Sequence, residues 1–145
     1  MLEKVRNRRS VFTRDFTIEM DAGLMDGHSG NAAGVGAVSR IKNPIILANE
    51  VMSKTPHALL CCSGAEKFAK NCSTNVVFET PEYFQTQIRR QQLENLLKEN
   101  NCSTEKSDSL GTVGAVAIDE NGRLATASST GGLSGKLSGK FCPVI

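Results

Sequence analysis

The sequence has little of several residue types that mark specialised proteins. It contains no Trp, one Tyr and four Pro, and its charged residues nearly balance at a net charge of +2. The longest apolar stretch, residues 45–52, is interrupted by Asn49 and Glu50 and is shorter than the roughly 18 residues of a membrane span. A near-neutral chain has no strong field for nucleic acid or acidic membranes. We therefore expect neither as a partner.

Cysteine usage and the N-terminus both bear on the compartment. The five cysteines are an odd number without Cys-x-x-Cys spacing: Cys61, Cys62, Cys72, Cys102 and Cys142. This pattern is typical of reduced thiols rather than of a disulfide framework. Residues 1–14 are basic and lack the apolar core of a secretory signal. We expect a cytoplasmic protein whose basic N-terminal residues are solvated.

The 145 residues suit a single domain, and the first half of the chain alternates strand and helix patterns. Strands are predicted over residues 17–22, 34–41 and 57–61. Asn43 before Pro44 predicts a helix that runs to about Met52. Residues 63–66 fit a capping box, with Glu66 as its acid, for a helix through about Lys70. Together these elements predict an α+β fold.

The middle of the chain is more polar. Thr80 and Pro81 predict the start of a helix on an outer surface, with a loose apolar stripe of Tyr83, Ile88, Leu93, Leu96 and Leu97. Residues 101–109 contain no large apolar side chain, and we expect a mobile loop over 100–110.

Residues 111–130 have the pattern of a β-hairpin around Glu120-Asn121-Gly122. A three-residue loop with Gly122 in the left-handed region pairs Asp119 with Arg123 and places Thr112 opposite Thr130. A two-residue Asn-Gly loop instead moves Thr130 to the other face. We favour the three-residue loop. Two opposed threonines are also ordinary in sheets, so this register alone does not indicate catalysis.

Seven motifs in a fixed order carry a resemblance to a known family. They are Ser-Val-Phe-Thr at 10–13, Glu-Met-Asp-Ala-Gly-Leu-Met-Asp-Gly at 19–27, Lys-Asn-Pro at 42–44, Val-Met-Ser-Lys-Thr-Pro-His at 51–57, Gly-Ala-Glu-Lys-Phe at 64–68, Gly-Thr-Val-Gly-Ala-Val-Ala at 111–117 and Ser-Thr-Gly-Gly at 129–132. In this order they resemble the isoaspartyl peptidase and L-asparaginase branch of the N-terminal-nucleophile hydrolases.

The resemblance implies a hydrolase of asparagine and β-aspartyl peptides within a four-layer αββα sandwich. It implies autocleavage between Gly111 and Thr112, which frees Thr112 as nucleophile and as base through its α-amine. Thr130 would hydrogen-bond the nucleophile, and Gly131 and Gly132 would let backbone approach the substrate. No cofactor is implied. Residues 1–111 would correspond to an α-subunit and residues 112–145 to the start of a β-subunit, which form a heterodimer that can pair again.

The chain also departs from the family pattern. Lys140 stands where the family has an arginine that grips the substrate carboxylate, and lysine keeps the charge without the bidentate fork. Family members continue well past residue 145, through a segment that supplies the oxyanion hole. We expect a truncated member, a single incomplete domain over 1–145. The alternative is an inactive member that acts by binding a partner subunit.

Other clusters have simpler interpretations. Three carboxylates and an imidazole lie within ten residues, at Glu19, Asp21, Asp26 and His28, but their spacing fits no known metal motif. We therefore expect no metal site. His57 is interpreted as structural, and the adjacent Cys61 and Cys62 as buried small apolar residues.

Overall fold

The computed structural model describes residues 10–72, 74–98 and 111–141, which form one mixed sheet with helices. The strands are β1 Met20–Asp26, β2 Ala32–Val38, β3 Leu59–Cys61, β4 Val113–Ile118 and β5 Leu124–Thr130. The helices are α1 Pro44–Lys54, α2 Cys62–Cys72, α3 Pro81–Phe84 and α4 Gln87–Lys98. The predicted α+β class is confirmed, whereas the predicted mobile loop over 100–110 lies outside the described residues.

The strand order is β3-β2-β1-β5-β4, and only the β2–β3 pair among these strands is parallel. Parallel neighbours need a crossover connection, and α1 supplies it. Because β5 pairs with β1, the C-terminal hairpin extends the sheet formed by the first half of the chain. This pairing leaves β4 at the edge of the described sheet.

The core lies between α1 and the face of β1 and β2 that it covers. Leu47, Ala48 and Val51 of α1 are fully buried, as are Met20 of β1 and Val35 of β2. Leu47 and Val51 are four residues apart and therefore lie on one side of the helix. Burying apolar side chains of this size stabilises the fold by about 1.5–3 kcal/mol each.

The predicted capping box at residues 63–66 is wrong. The helix α2 begins at Cys62, directly after β3 ends at Cys61, so Ser63 lies inside the helix. The carboxylate of Glu66 instead accepts hydrogen bonds from the backbone N–H groups of Ser39 (2.9 Å) and Arg40 (3.0 Å). Glu66 therefore provides an acceptor for backbone N–H groups that follow β2, and does not cap its own helix.

Two other local predictions need correction. Asn43 precedes α1 as expected, but its side chain makes no capping hydrogen bond there, and its carbonyl accepts from Ile46 N–H instead (3.0 Å). The predicted middle helix is two helices, α3 and α4. Leu93 of its predicted apolar stripe is fully buried, whereas Ile88 is 69% exposed.

The lengths and apolar character of the helices bear on whether any of them could cross a membrane. Within residues 10–72, 74–98 and 111–141, no helix has the length and apolar character needed to cross a membrane.

Candidate active site

The hairpin of β4 and β5 has the predicted three-residue loop. Val113 pairs with Ser129 and Ile118 with Leu124, and this register extends to Asp119 and Arg123, whose backbones are joined by a 3.0 Å hydrogen bond. Gly122 adopts a φ of +78°, the left-handed conformation that a glycine accepts without strain. The register prediction is confirmed, and the two-residue alternative is excluded.

This register brings Thr112 and Thr130 together at one end of the hairpin. The Oγ1 hydroxyl of Thr112 donates to Oγ1 of Thr130 at 2.9 Å. The backbone N–H of Gly132 donates to the same oxygen at 3.0 Å. Thr130 is only 3% exposed, whereas Thr112 is exposed. A buried hydroxyl thus holds an accessible one in a defined direction.

The strand that carries Thr130 is supported by β1. Thr130 lies opposite Asp21 in the β1–β5 ladder, and the hydroxyl of Ser129 donates to the carbonyl of Asp21 at 3.1 Å. Ser129 is 6% exposed. The end of β5 is therefore fixed by its neighbour, so the position of Thr130 depends on the sheet rather than on the hairpin alone.

A hydroxyl pair of this kind can act in acyl transfer, but it needs a base. A threonine hydroxyl is a weak nucleophile at its ordinary pKa and is activated by a neighbouring general base. Thr130 accepts a hydrogen bond from the Thr112 hydroxyl, which orients the Thr112 oxygen but leaves its proton in place. The arrangement therefore provides an accessible hydroxyl and a partner that orients it.

The glycines that follow Thr130 have two different environments. A Cβ added to Gly131 would lie 2.9 Å from Cα of Ser10, so this glycine is needed for close packing against the chain before β1. Gly132 has a φ of +76°, and its backbone N–H donates to Oγ1 of Thr130 at 3.0 Å. Of the predicted binding glycines, Gly132 joins the threonine pair, and Gly131 contacts the N-terminal segment.

Lys140 lies on the surface of the segment that follows the hairpin. Its side chain is exposed, and its backbone N–H donates to the carbonyl of Leu137 at 3.1 Å. The contacts described for residues 111–141 do not join Lys140 to Thr112 or Thr130. The structure thus brings together Thr112, Thr130 and Gly132 but leaves Lys140 apart from them.

A buried ion pair close to Thr130 was missed by the sequence reasoning. The side chains of Asp21 and Lys136 are both fully buried, and Nζ of Lys136 lies 3.9 Å from Oδ2 of Asp21. The sequence places Asp21 in the predicted strand over 17–22 and in the motif at 19–27, and Lys136 stands in a glycine-rich stretch, but neither pattern predicts that the two residues pair. Only the folding of residues 131–141 back onto β1 reveals this pair.

Asp21 and Asp26, near opposite ends of β1, each have their own partners. Asp21 is buried with Lys136, whereas the carboxylate of Asp26 accepts hydrogen bonds from the Ser29 hydroxyl (2.6 Å) and the His28 N–H (3.0 Å). The Ser29 hydroxyl, with help from His28 N–H, lowers the pKa of Asp26. Among the described residues, no three His, Cys, Asp or Glu side chains converge as metal ligands.

An apolar cleft of about 350 Å³ separates α1 from the hairpin. Val113 and Ser129 line it together with Ile45 and Ile46 of α1. Since side chains alternate along a strand, Thr112 and Thr130 project to the opposite face. The cleft is therefore distinct from the site of the two hydroxyls.

The chain is similar in sequence to a family of known proteins. The family model described as Asparaginase matches residues 7–142. The isoaspartyl peptidase of Escherichia coli K12 is 41% identical over 138 residues, which cover 90% of this chain and 42% of that protein. The isoaspartyl peptidase/L-asparaginase of Xenopus laevis is 46% identical over 132 residues, with 90% and 42% covered.

The same coverage recurs in other relatives. The Dictyostelium discoideum protein named putative isoaspartyl peptidase/L-asparaginase is 42% identical over 172 residues, which cover 94% of this chain and 49% of that protein. The chain thus spans less than half the length of these curated relatives.

Proposed function

The chain belongs to the asparaginase family, and from this premise we propose that it provides the nucleophile of a hydrolase for L-asparagine and β-aspartyl peptides. The observation that carries the proposal is the 2.9 Å hydrogen bond from the Thr112 hydroxyl to Thr130. This hydrogen bond joins the motif at 111–117 to the motif at 129–132, which are two of the seven motifs by which the chain resembles the family. Thr112 is the nucleophile in this proposal, and Thr130 orients it.

Cleavage of the chain before Thr112 activates the site. The Thr112 oxygen adds to the carbonyl carbon of Gly111, and its proton passes to the Thr112 nitrogen. The bond from that carbon to the nitrogen then breaks, which leaves an ester between Gly111 and the Thr112 oxygen. Water then hydrolyses the ester, which leaves a carboxylate on Gly111 and a free α-amine on Thr112. An α-amine has an ordinary pKa of about 7.7–8.0, so a useful neutral fraction exists near pH 7.

The same hydroxyl then acts on the substrate. The α-amine accepts the proton as the oxygen attacks the side-chain amide carbon of asparagine, or the isopeptide carbon of a β-aspartyl peptide. Ammonia or a peptide leaves after it takes up that proton, and water hydrolyses the acyl-enzyme ester. Gly132 supports Thr130 throughout through its N–H. Gly131, Gly132 and Lys140 are the proposed substrate contacts: the two glycines let backbone approach the substrate closely, and Lys140 attracts the α-carboxylate.

The proposal includes an assembly. Residues 1–111 correspond to an α-subunit and residues 112–145 to the beginning of a β-subunit, which stay together as a heterodimer and can pair into a dimer of heterodimers. The two parts contribute to an αββα sandwich. We place the protein in the cytoplasm. The predicted burial of Cys61 and Cys62 is wrong, because both are exposed, and their free thiols suit a reducing compartment.

A second candidate function is an inactive family member that acts by binding a partner subunit. The observation that favours it is the edge strand β4, where Val116 is 85% exposed and Ile118 is 68% exposed. Exposed apolar edge strands are prone to pair with another chain. Size-exclusion chromatography and circular dichroism of the isolated chain discriminate between the two functions. A compact monomer that melts cooperatively counts against the partner-binding function.

The test of the catalytic proposal is the intact mass of the purified chain after prolonged incubation. The expected result is two fragments that divide between Gly111 and Thr112, with Thr112→Ala remaining whole. Release of ammonia from asparagine, and of amino acid from an isoaspartyl dipeptide, is then measured on the cleaved protein. A wild-type chain that stays undivided would remove the basis for a processed nucleophile.

A further inference from the structure

Three residues on neighbouring strands form a row that ends at the candidate nucleophile. Asp21 of β1 is the register partner of Thr130 on β5, and Thr112 donates its hydroxyl to Thr130 just before β4. Residues directly opposite in antiparallel strands point to the same face, with Cβ atoms roughly 5 Å apart. A buried carboxylate thus lies beside the hydroxyl that orients Thr112.

The carboxylate of Asp21 is held on two sides. Its Oδ1 accepts from the backbone N–H of Ala37 at 2.8 Å, and its Oδ2 lies 3.9 Å from Nζ of Lys136. Nζ of Lys136 also donates to the carbonyl of Glu19 at 2.9 Å. A buried charge is tolerated only when it is paired and hydrogen-bonded, so either charge alone at this place is strongly unfavourable.

Lys136 also determines the course of the chain after Thr130. Its carbonyl accepts from Arg14 N–H at 2.9 Å, and the neighbouring Gly135 N–H donates to Phe12 carbonyl at 2.8 Å. These bonds fasten residues 131–141 to the segment before β1. Gly132, whose N–H supports Thr130, lies between the end of β5 and this attachment.

We propose that Asp21 and Lys136 are positioning residues for the Thr112–Thr130 pair. The buried ion pair locks β1 to the segment after β5, and this lock keeps Gly132 N–H and the Thr130 hydroxyl aligned with Thr112. The geometric part of the proposal, that the ion pair keeps Thr130 aligned with Thr112, depends on the described contacts alone. The consequence for cleavage rests on the proposed function.

The geometric part is tested by NMR of threonine methyl groups in the full chain. Lys136→Met removes one charge, Asp21→Asn with Lys136→Met removes both, and Lys42→Met is the matched control in the half-exposed Lys42–Glu79 pair. We expect the Thr112 and Thr130 methyl resonances to shift in Lys136→Met, to return towards wild type in the double variant, and to stay unchanged in Lys42→Met. Unmoved resonances in Lys136→Met would overturn the proposal.

The second readout is the rate of cleavage at Gly111. A displacement of reacting groups by about 1 Å can cost on the order of a hundredfold, so we expect Lys136→Met to cleave 10- to 100-fold more slowly. The double variant should recover most of that loss. Equal slowing in both variants would show that the ion pair as such does not position Thr112.

The two readouts separate the two claims. A wild-type chain that never cleaves contradicts the proposed function, while the methyl resonances still decide the positioning role. If Lys136→Met does not fold, Lys136→Arg keeps the charge and displaces it, and we expect it to shift the Thr130 resonance. Wild-type resonances in Lys136→Arg would then overturn the proposal.

Discussion

The hydroxyls of Thr112 and Thr130, 18 residues apart in sequence, meet at 2.9 Å across the β4–β5 hairpin. The three-residue loop that ends at Gly122 sets this meeting, because a shift of one residue would turn every side chain of a strand to the other face. A turn remote from the hydroxyls thus determines whether they can interact at all.

The first prediction concerns the hydroxyl of Thr130. Thr130→Val keeps the shape but removes the oxygen that accepts from Thr112 and from Gly132 N–H. We expect cleavage at Gly111 to slow roughly 10- to 100-fold because the nucleophile loses its orientation. The loss of stability should be about 1–3 kcal/mol, since the N–H is left without its partner. Intact mass against time and chemical denaturation measure the two effects.

The control for that prediction is Thr126→Val. Thr126 lies on the same strand and the same face, is exposed, and donates to Ala115 carbonyl at 3.3 Å. Its substitution should leave cleavage unchanged. A loss of cleavage in both variants would assign the effect to the strand rather than to the Thr130 hydroxyl.

The second prediction concerns Gly122. Its φ of +78° is strained for any residue with a Cβ, so Gly122→Val should destabilise the hairpin by about 1–2 kcal/mol. Hydrogen exchange should then be faster at the β4 amides. Gly64 in α2 has open space around its Cα, so Gly64→Ala should stabilise by about 0.5–1 kcal/mol. If Gly122→Val and Gly64→Ala changed the free energy of unfolding equally and in the same direction, that result would contradict the left-handed conformation of Gly122.

The third prediction concerns Glu66. Its carboxylate accepts two backbone N–H groups and the Ser39 hydroxyl (3.2 Å), which joins α2 to the end of β2. Glu66→Ala should reduce the free energy of unfolding by about 1–3 kcal/mol because partly buried donors lose their acceptor. Lys67→Ala, at the exposed next position, is the control and should change little. Urea denaturation of the three proteins measures the difference.

The fourth prediction concerns the pH dependence of the hairpin turn. The backbone N–H of Arg123 donates to Asp119 (2.9 Å) and is the main cause that lowers the pKa of this carboxyl, with the guanidinium adding to it. A carboxyl whose folded pKa is depressed stabilises the fold above its ordinary pKa of about 3.9. That contribution is lost as pH falls through the lower folded value.

NMR titration of the carboxyl carbons tests this prediction. Asp119 should titrate below the ordinary aspartate range in the wild-type chain. In Arg123→Gln the pKa should rise only part of the way, because the backbone N–H remains as donor. A full return to the ordinary pKa in Arg123→Gln would contradict the backbone origin of the effect.

Local patterns predicted several elements well because their causes are local. The Asn-Pro pair marked the start of α1, and the glycine of the turn set the register of β4 and β5. The capping box failed because Ser63 and Glu66 suit a helix start on propensity alone. The tertiary structure runs β3 directly into α2 and assigns Glu66 to the backbone after β2.

The middle of the chain shows the same limit. Its apolar residues are spaced loosely enough for one long helix, yet Gln85 and Thr86 separate α3 from α4. Phe84 and Leu93 are both fully buried, whereas Ile88 between them is exposed. The spacing of apolar residues predicts where a helix can form, but tertiary packing determines which of these residues are buried in the core.

The sequence established the family and predicted most of the strands and helices, and its turn residues favoured the register that places Thr112 opposite Thr130, because turn chemistry is local. The pairing of β5 with β1 and the burial of Asp21 against Lys136 emerge from the tertiary fold alone. Those contacts join residues about a hundred or more positions apart. Their stability comes from burial and charge pairing between distant segments, which no local pattern records.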